Sequence, residues 1–211
     1  MTASLHRAIR LRVGAPMPGH VRVWTLQALP VWEALQQGET LYVDPARSEN
    51  VADFREAYRW MCTQMRARLA DYQGHLPWWA WHTPKPDLRT VRWRYPADIS
   101  YVRLELTLPP ERVLLSDRTG WVSVLNGYYL AFSATEAQAW ERELAAQGIS
   151  YPQWPLPEPW HSRVLQSWER IFDLNALQAH GWSPDRLQAT FERLEPADVV
   201  EATTFWGCCV R

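Results

Sequence analysis

Lysine is nearly missing from this 211-residue chain: Lys85 stands alone among arginines. Basic residues number 22 and acidic residues 23, a net charge of −1. No whole-surface field therefore draws the protein to nucleic acid or to an anionic membrane. A GC-rich coding sequence explains the arginine bias as well as a function would. Glycine is also scarce, nine in all, and none forms a phosphate-cradling loop. The Rossmann run, zincin helix, Gly-x-Ser-x-Gly elbow and Cys-x-x-Cys pair are all missing. Three cysteines, Cys62, Cys208 and Cys209, make no disulfide framework and point to a reducing, cytoplasmic setting. No stretch approaches the ~20 apolar residues of a membrane span, so no membrane association is expected. The first sixteen residues lack the apolar segment of a secretory signal. The ending Cys208-Cys209-Val210-Arg211 does not fit a prenylation box. His75, His82, His161 and His180 lack ligand spacing, and no metal is expected.

What is abundant is tryptophan, with 14 residues, and proline, with 16. An aromatic core accounts for most of the indoles. The segment Gln73–Arg89 differs, because it gathers Trp78, Trp79, Trp81 and His82 and then Pro84, Pro86, Asp87 and Arg89. Three indoles so close together cannot share one face of one regular element, so at least one is expected to line a cleft. The prolines are expected to hold Asp87-Leu88-Arg89 extended. In that shape Asp87 and Arg89 face either a ligand or each other. Cys62 sits in a helical pattern, either as a nucleophile or as a small core residue.

Periodicity predicts a single compact α+β domain over 20–211, with a mixed, mainly antiparallel sheet flanked by helices, behind a poorly anchored arm over 1–19. Val21–Trp24 reads as the first strand, and Pro30 opens a short helix that Gly38 closes. A brief strand is expected over Thr40–Val43, then a helix from Asp53 to about Tyr72, capped by Asn50 or Asp53. Tyr101–Leu108 alternates strictly, with Glu105 opposite the leucine face. Val113–Leu115 forms another strand, and Ser116-Asp117 caps a helix ending at Asn126-Gly127. Thr135 is expected to cap the next helix, which Gly148 closes. Tyr151–Pro159 is a proline-rich tether lying on the body. A helix over Ser162–Leu174 and strands over Leu187–Leu194 and Val199–Trp206 complete the chain.

Several ordered segments resemble a bacterial family, domain of unknown function 3841. They include Val23-Trp24-Thr25-Leu26-Gln27, Ala57-Tyr58-Arg59-Trp60-Met61, Pro77-Trp78-Trp79-Ala80-Trp81 and Pro86-Asp87-Leu88-Arg89. Leu114-Leu115-Ser116-Asp117, Trp121–Asn126, Trp168–Phe172 and Leu187–Phe191 continue the series, so nearly the whole chain is spanned. That family implies no activity.

A more partial resemblance, in segment order over Val21–Gly38, Leu76–Pro86 and Leu187–Phe205, is to compact ADP-ribosyltransferases that modify nucleic acid. It implies a split sheet, nicotinamide adenine dinucleotide (NAD) as cofactor, and a nucleic-acid or protein acceptor. The chain departs from the pattern at Thr190, which stands where the catalytic glutamate aligns, so Glu192 or Glu105 would have to serve. The resemblance implies that Trp24, Trp79 and Trp81 stack on the cofactor, that Arg22 or Arg89 holds the pyrophosphate, and that Gln188 orients the ribose. Thr25, Gln27, Tyr58, Asp87 and Thr190 complete the expected cofactor-binding set. The alternative is a non-catalytic module that binds a small molecule, nucleotide or peptide against Trp78–Trp81. A third expectation is an interaction protein contacting partners through Tyr151–Pro159.

Overall fold

The computed structural model describes residues 9–150, 152, 154–183 and 185–209. Strands β1 (Arg10–Arg12) and β2 (Val21–Ala28) precede helix α1 (Leu29–Gln36). A short strand β3 (Leu41–Tyr42) leads to α2 (Glu49–Asp53) and α3 (Arg55–Arg68). Next come β4 (Trp78–Thr83), α4 (Leu88–Val91), β5 (Ser100–Leu108) and β6 (Leu114–Asp117). Helices α5 (Arg118–Leu125), α6 (Ala134–Ala146), α7 (Trp160–Trp168) and α8 (Leu174–Ala179) follow in a block. The chain closes with β7 (Leu187–Phe191), β8 (Arg193–Leu194) and β9 (Val199–Trp206).

Seven strands form one sheet in the order β1-β9-β5-β2-β4-β7-β6, and β3 pairs with β8 beside it. Every pairing between named strands is antiparallel, so the sheet is antiparallel rather than mixed. The fold is α+β. No helix among the described residues is long and apolar enough to cross a membrane.

Two apolar clusters flank the sheet. Val23, Val102, Leu104, Leu106, Ala189 and Phe191 pack with Trp32 and Leu35 of α1 on one face. Leu114 packs on the other with Met61 and Met65 of α3, Trp121 of α5, Trp140 of α6 and Trp168 of α7. The strict alternation of β5 reports one of these faces. Its other face is buried too, but by charge: Glu105 lies opposite Trp24 on β2 and Glu201 on β9.

Several boundaries differ from expectation for identifiable reasons. The arm is not loose throughout, because β1 pairs with β9 and forms the sheet's edge; residues 1–8 lie outside the described residues. The helix expected from Asp53 starts at Arg55, after a break at Phe54 that caps it without a side-chain bond, and Asn50 and Asp53 fall inside α2. Ser133, not Thr135, caps α6 by accepting the Glu136 N–H. Asp87 accepts the Arg89 N–H at 2.9 Å and starts α4, so Asp87-Leu88-Arg89 is not extended. The helix expected to run to Leu174 stops at Trp168 and tightens into a 3₁₀ turn over Glu169–Phe172. Leu187–Leu194 is not one strand, since the chain breaks at Glu192 and hands Arg193-Leu194 to the small sheet. In the tether, Leu156 is buried and Trp154 packs on Trp168, which ties the segment to the body; Tyr151 and Gln153 lie outside the described residues.

Candidate functional site

The sheet has a seam between β2 and β4. β2 pairs with β5 along its whole length, yet meets β4 in register only where Trp24 lies opposite Trp81. On either side of that pair the strands part, and side chains replace the ladder. Thr25 Oγ1 donates to the Trp79 carbonyl at 2.9 Å, and Gln27 Nε2 donates to Thr25 Oγ1 at 2.7 Å. On the other flank a ring nitrogen of His82 donates to the Arg22 carbonyl at 2.9 Å. The Thr25 and His82 bonds satisfy backbone carbonyls that the divergence would otherwise leave open.

Where the strands part, a cleft of about 660 Å³ opens, within the range of small-molecule sites. Its floor is β4, including Trp79 and Trp81, and one wall is Thr25–Gln27 of β2. Phe54 and Tyr58 close it from the α3 side, Arg118 and Trp121 from α5, with Tyr95 and Gln188 at its margins. Alternation along β4 explains why one short segment can do this. Trp79 and Trp81 share one face of β4, while Trp78, which also borders the cleft, packs on the opposite cluster and donates its indole N–H to the Leu41 carbonyl at 3.1 Å.

The aromatic groups hold one another. Trp79 and Trp121 lie 4.6 Å apart at 32°, and Tyr58 presents edges to both. Burial raises the Tyr58 phenol, and the nearby Trp79 indole offsets part of that. The Trp79 Nε1 is buried yet reaches no partner in full hydrogen-bond geometry. The Arg118 guanidinium lies 5.1 Å from the centre of the Trp81 ring. Among the described residues no carboxylate, histidine or cysteine lines the cleft.

The residues expected to form a cofactor site do not all come together. Thr25, Gln27, Tyr58, Trp79, Trp81 and Gln188 come together at the cleft. Thr190 is on the same strand as Gln188 and opposite Trp79, but it is fully buried and turned to the Leu114 carbonyl. Arg22 and Trp24 belong to a separate ionic cluster around Glu105. There Glu105, 3% exposed, accepts from Arg22 Nε at 2.8 Å, Trp24 Nε1 at 2.9 Å and Lys85 Nζ at 3.2 Å. Burial pushes the Glu105 carboxyl up, but the Trp24, Arg22 and Lys85 donors together outweigh it and hold it below the usual range.

Glu192 points away from the cleft. Its buried carboxylate accepts the Gln73 and His75 backbone N–H groups at 2.9 and 2.8 Å and meets His75 Nδ1 at 2.9 Å. Burial raises this carboxyl, and the His75 and Gln73 N–H groups lower it further than burial raises it. Asp87 and Arg89 face each other at the surface, 2.7 Å apart, with the Arg89 side chain 89% exposed. That contact, led by the Arg89 side-chain bond, lowers Asp87 to about 2. Cys62 is half-buried, and burial pushes its thiol up, away from the reactive thiolate.

Sequence reasoning missed Phe54, Tyr95, Arg118 and Trp121. One signal for Arg118 was available. Asp117 caps α5 through the Gly120 N–H at 2.6 Å, which puts Arg118 in the first turn, where the helix dipole disfavours a cation.

Fold and site together define an α+β protein with a ligand-sized aromatic cleft at a seam in its sheet. The chain belongs to the family described as Domain of unknown function (DUF3841), whose family model matches residues 22–200. Neither curated proteins nor solved structures gave a match.

Proposed function

We propose that this protein binds a small planar ligand in the cleft between β2 and β4. The observation that carries this is the seam itself. Beside the Trp24–Trp81 pair the strands part, and there Trp79, Trp121 and Tyr58 converge next to Trp81. A concavity lined by aromatic side chains, with polar groups placed among them, is a usual form of small-molecule site. Gln27 and Gln188 supply the side-chain amides that would fix orientation.

The second reading is an NAD-using transferase. The seam favours it, because the resemblance implies a split sheet. It needs a carboxylate at the ribose, and both candidate carboxylates are engaged outside the cleft lining. Binding therefore ranks first.

A blocking substitution tests the proposal. Val122 lines the cleft from the exposed side of α5, so Val122→Trp fills space without entering the core. Thermal melts would be titrated with NAD, adenosine and adenosine monophosphate. A ligand at 100 times its dissociation constant stabilises by ~2.7 kcal/mol. That is a rise of roughly 5–10 °C for a chain of this size. A saturable rise in the native protein that V122W removes supports the site; an equal rise in V122W places the ligand elsewhere.

A further inference from the structure

Arg118 differs from the other arginines that share its degree of burial. Arg103, Arg112, Arg163, Arg170 and Arg193 are also partly buried, and each faces a carboxylate, at 3.8, 2.9, 2.8, 2.7 and 2.8 Å respectively. Arg92 has the Cys208 sulfur. Among the described residues the Arg118 side chain has no ion pair and no hydrogen bond, only the Trp81 ring.

That arrangement is costly in isolation. A cation half-withdrawn from water into aromatic surroundings loses hydration, and nothing of opposite charge returns it. The neighbouring acid does not help, because Asp117 is buried and spends its carboxylate on the Gly120 N–H. The ring contact steadies the guanidinium but leaves its N–H donors unused. They are free to make charge-assisted bonds to a planar or tetrahedral oxyanion.

We propose that the ligand of this cleft carries an oxyanion group, phosphate, sulfonate or carboxylate, and that Arg118 holds it. The inference rests on the cleft-binding reading above. The ligand class is then an aromatic ring system with an anionic substituent, the ring packed among Trp79, Trp81 and Trp121 and the anion at the mouth of α5.

Two fluorescent probes of matched shape test it. 8-Anilinonaphthalene-1-sulfonate carries the anion; N-phenyl-1-naphthylamine has the same rings without it. Each is titrated into the native protein, Arg118→Gln, Arg118→Lys and, as a site control, Val122→Trp. The sulfonate dye is expected to bind about ten-fold or more tightly than the neutral dye. R118Q should erase that preference, and R118K should keep part of it, which separates lost charge from lost fold. Equal binding of the two dyes to native protein overturns the anion assignment and leaves the cleft reading standing. A sulfonate preference that survives R118Q overturns it as well. If neither dye gives a signal that V122W removes, the cleft reading falls and the inference with it.

Discussion

Replacing Glu192 by alanine should destabilise the protein by about 2–3 kcal/mol, because the side chain holds a loop. Its carboxylate, 5% exposed, is the acceptor for three N–H groups of the turn over residues 73–75. Gly74 at φ +111° makes that turn and cannot readily be replaced by another residue to restore it. A hydrogen bond to a charged group contributes about 1.5–3 kcal/mol, but the three are not additive, and water can reach the exposed loop once the acceptor is gone. Urea unfolding should show a lower midpoint at an unchanged slope. The melting temperature should fall by roughly 5–10 °C. Glu192→Gln keeps one acceptor oxygen and should lose about half as much. If Glu192→Ala stays within about 0.5 kcal/mol of the native protein, the clamp does not stabilise the fold and a different role for this carboxylate must be sought.

The ionic cluster around Glu105 should be visible in acid. Its folded pKa lies below the unfolded value near 4.5, so its stabilisation is complete above that value and is lost as pH falls through the folded one. The stability gap between native protein and Glu105→Gln, measured in urea from pH 7 to 3, should narrow below about 4.5; a gap that widens in acid would refute the assignment. Arg89→Ala should leave both the melting temperature and dye binding unchanged, because its pair with Asp87 is solvent-exposed and outside the cleft. Loss of dye binding in that variant would mean the cleft extends to α4.

The strands and helices that bury an apolar stripe were legible, as β5 and α1 show. Elements set by distant partners were not. Leu187–Leu194 reads as one strand until Glu192 is seen to bind a turn more than a hundred residues earlier in the chain. The Trp78–Trp81 segment was legible as a cleft wall, because three indoles exceed what one face can bury. That it is a strand was hidden by its flanking prolines, and the divergence from β2 exists only in three dimensions. Arg118 carried a local clue, a cation in the first turn of a helix. Its lack of a counter-charge is a property of the packed protein and leaves no trace in the sequence.

The most direct test of the cleft is where a bound ring perturbs the indoles. Proton–nitrogen correlation spectra of the tryptophan side chains would be recorded during titration with 8-anilinonaphthalene-1-sulfonate. Shifts are expected at Trp79, Trp81 and Trp121, with exposed Trp93 and the remote Trp32 unmoved. Shifts confined to Trp93, or saturation that leaves the three cleft indoles unchanged, would contradict it.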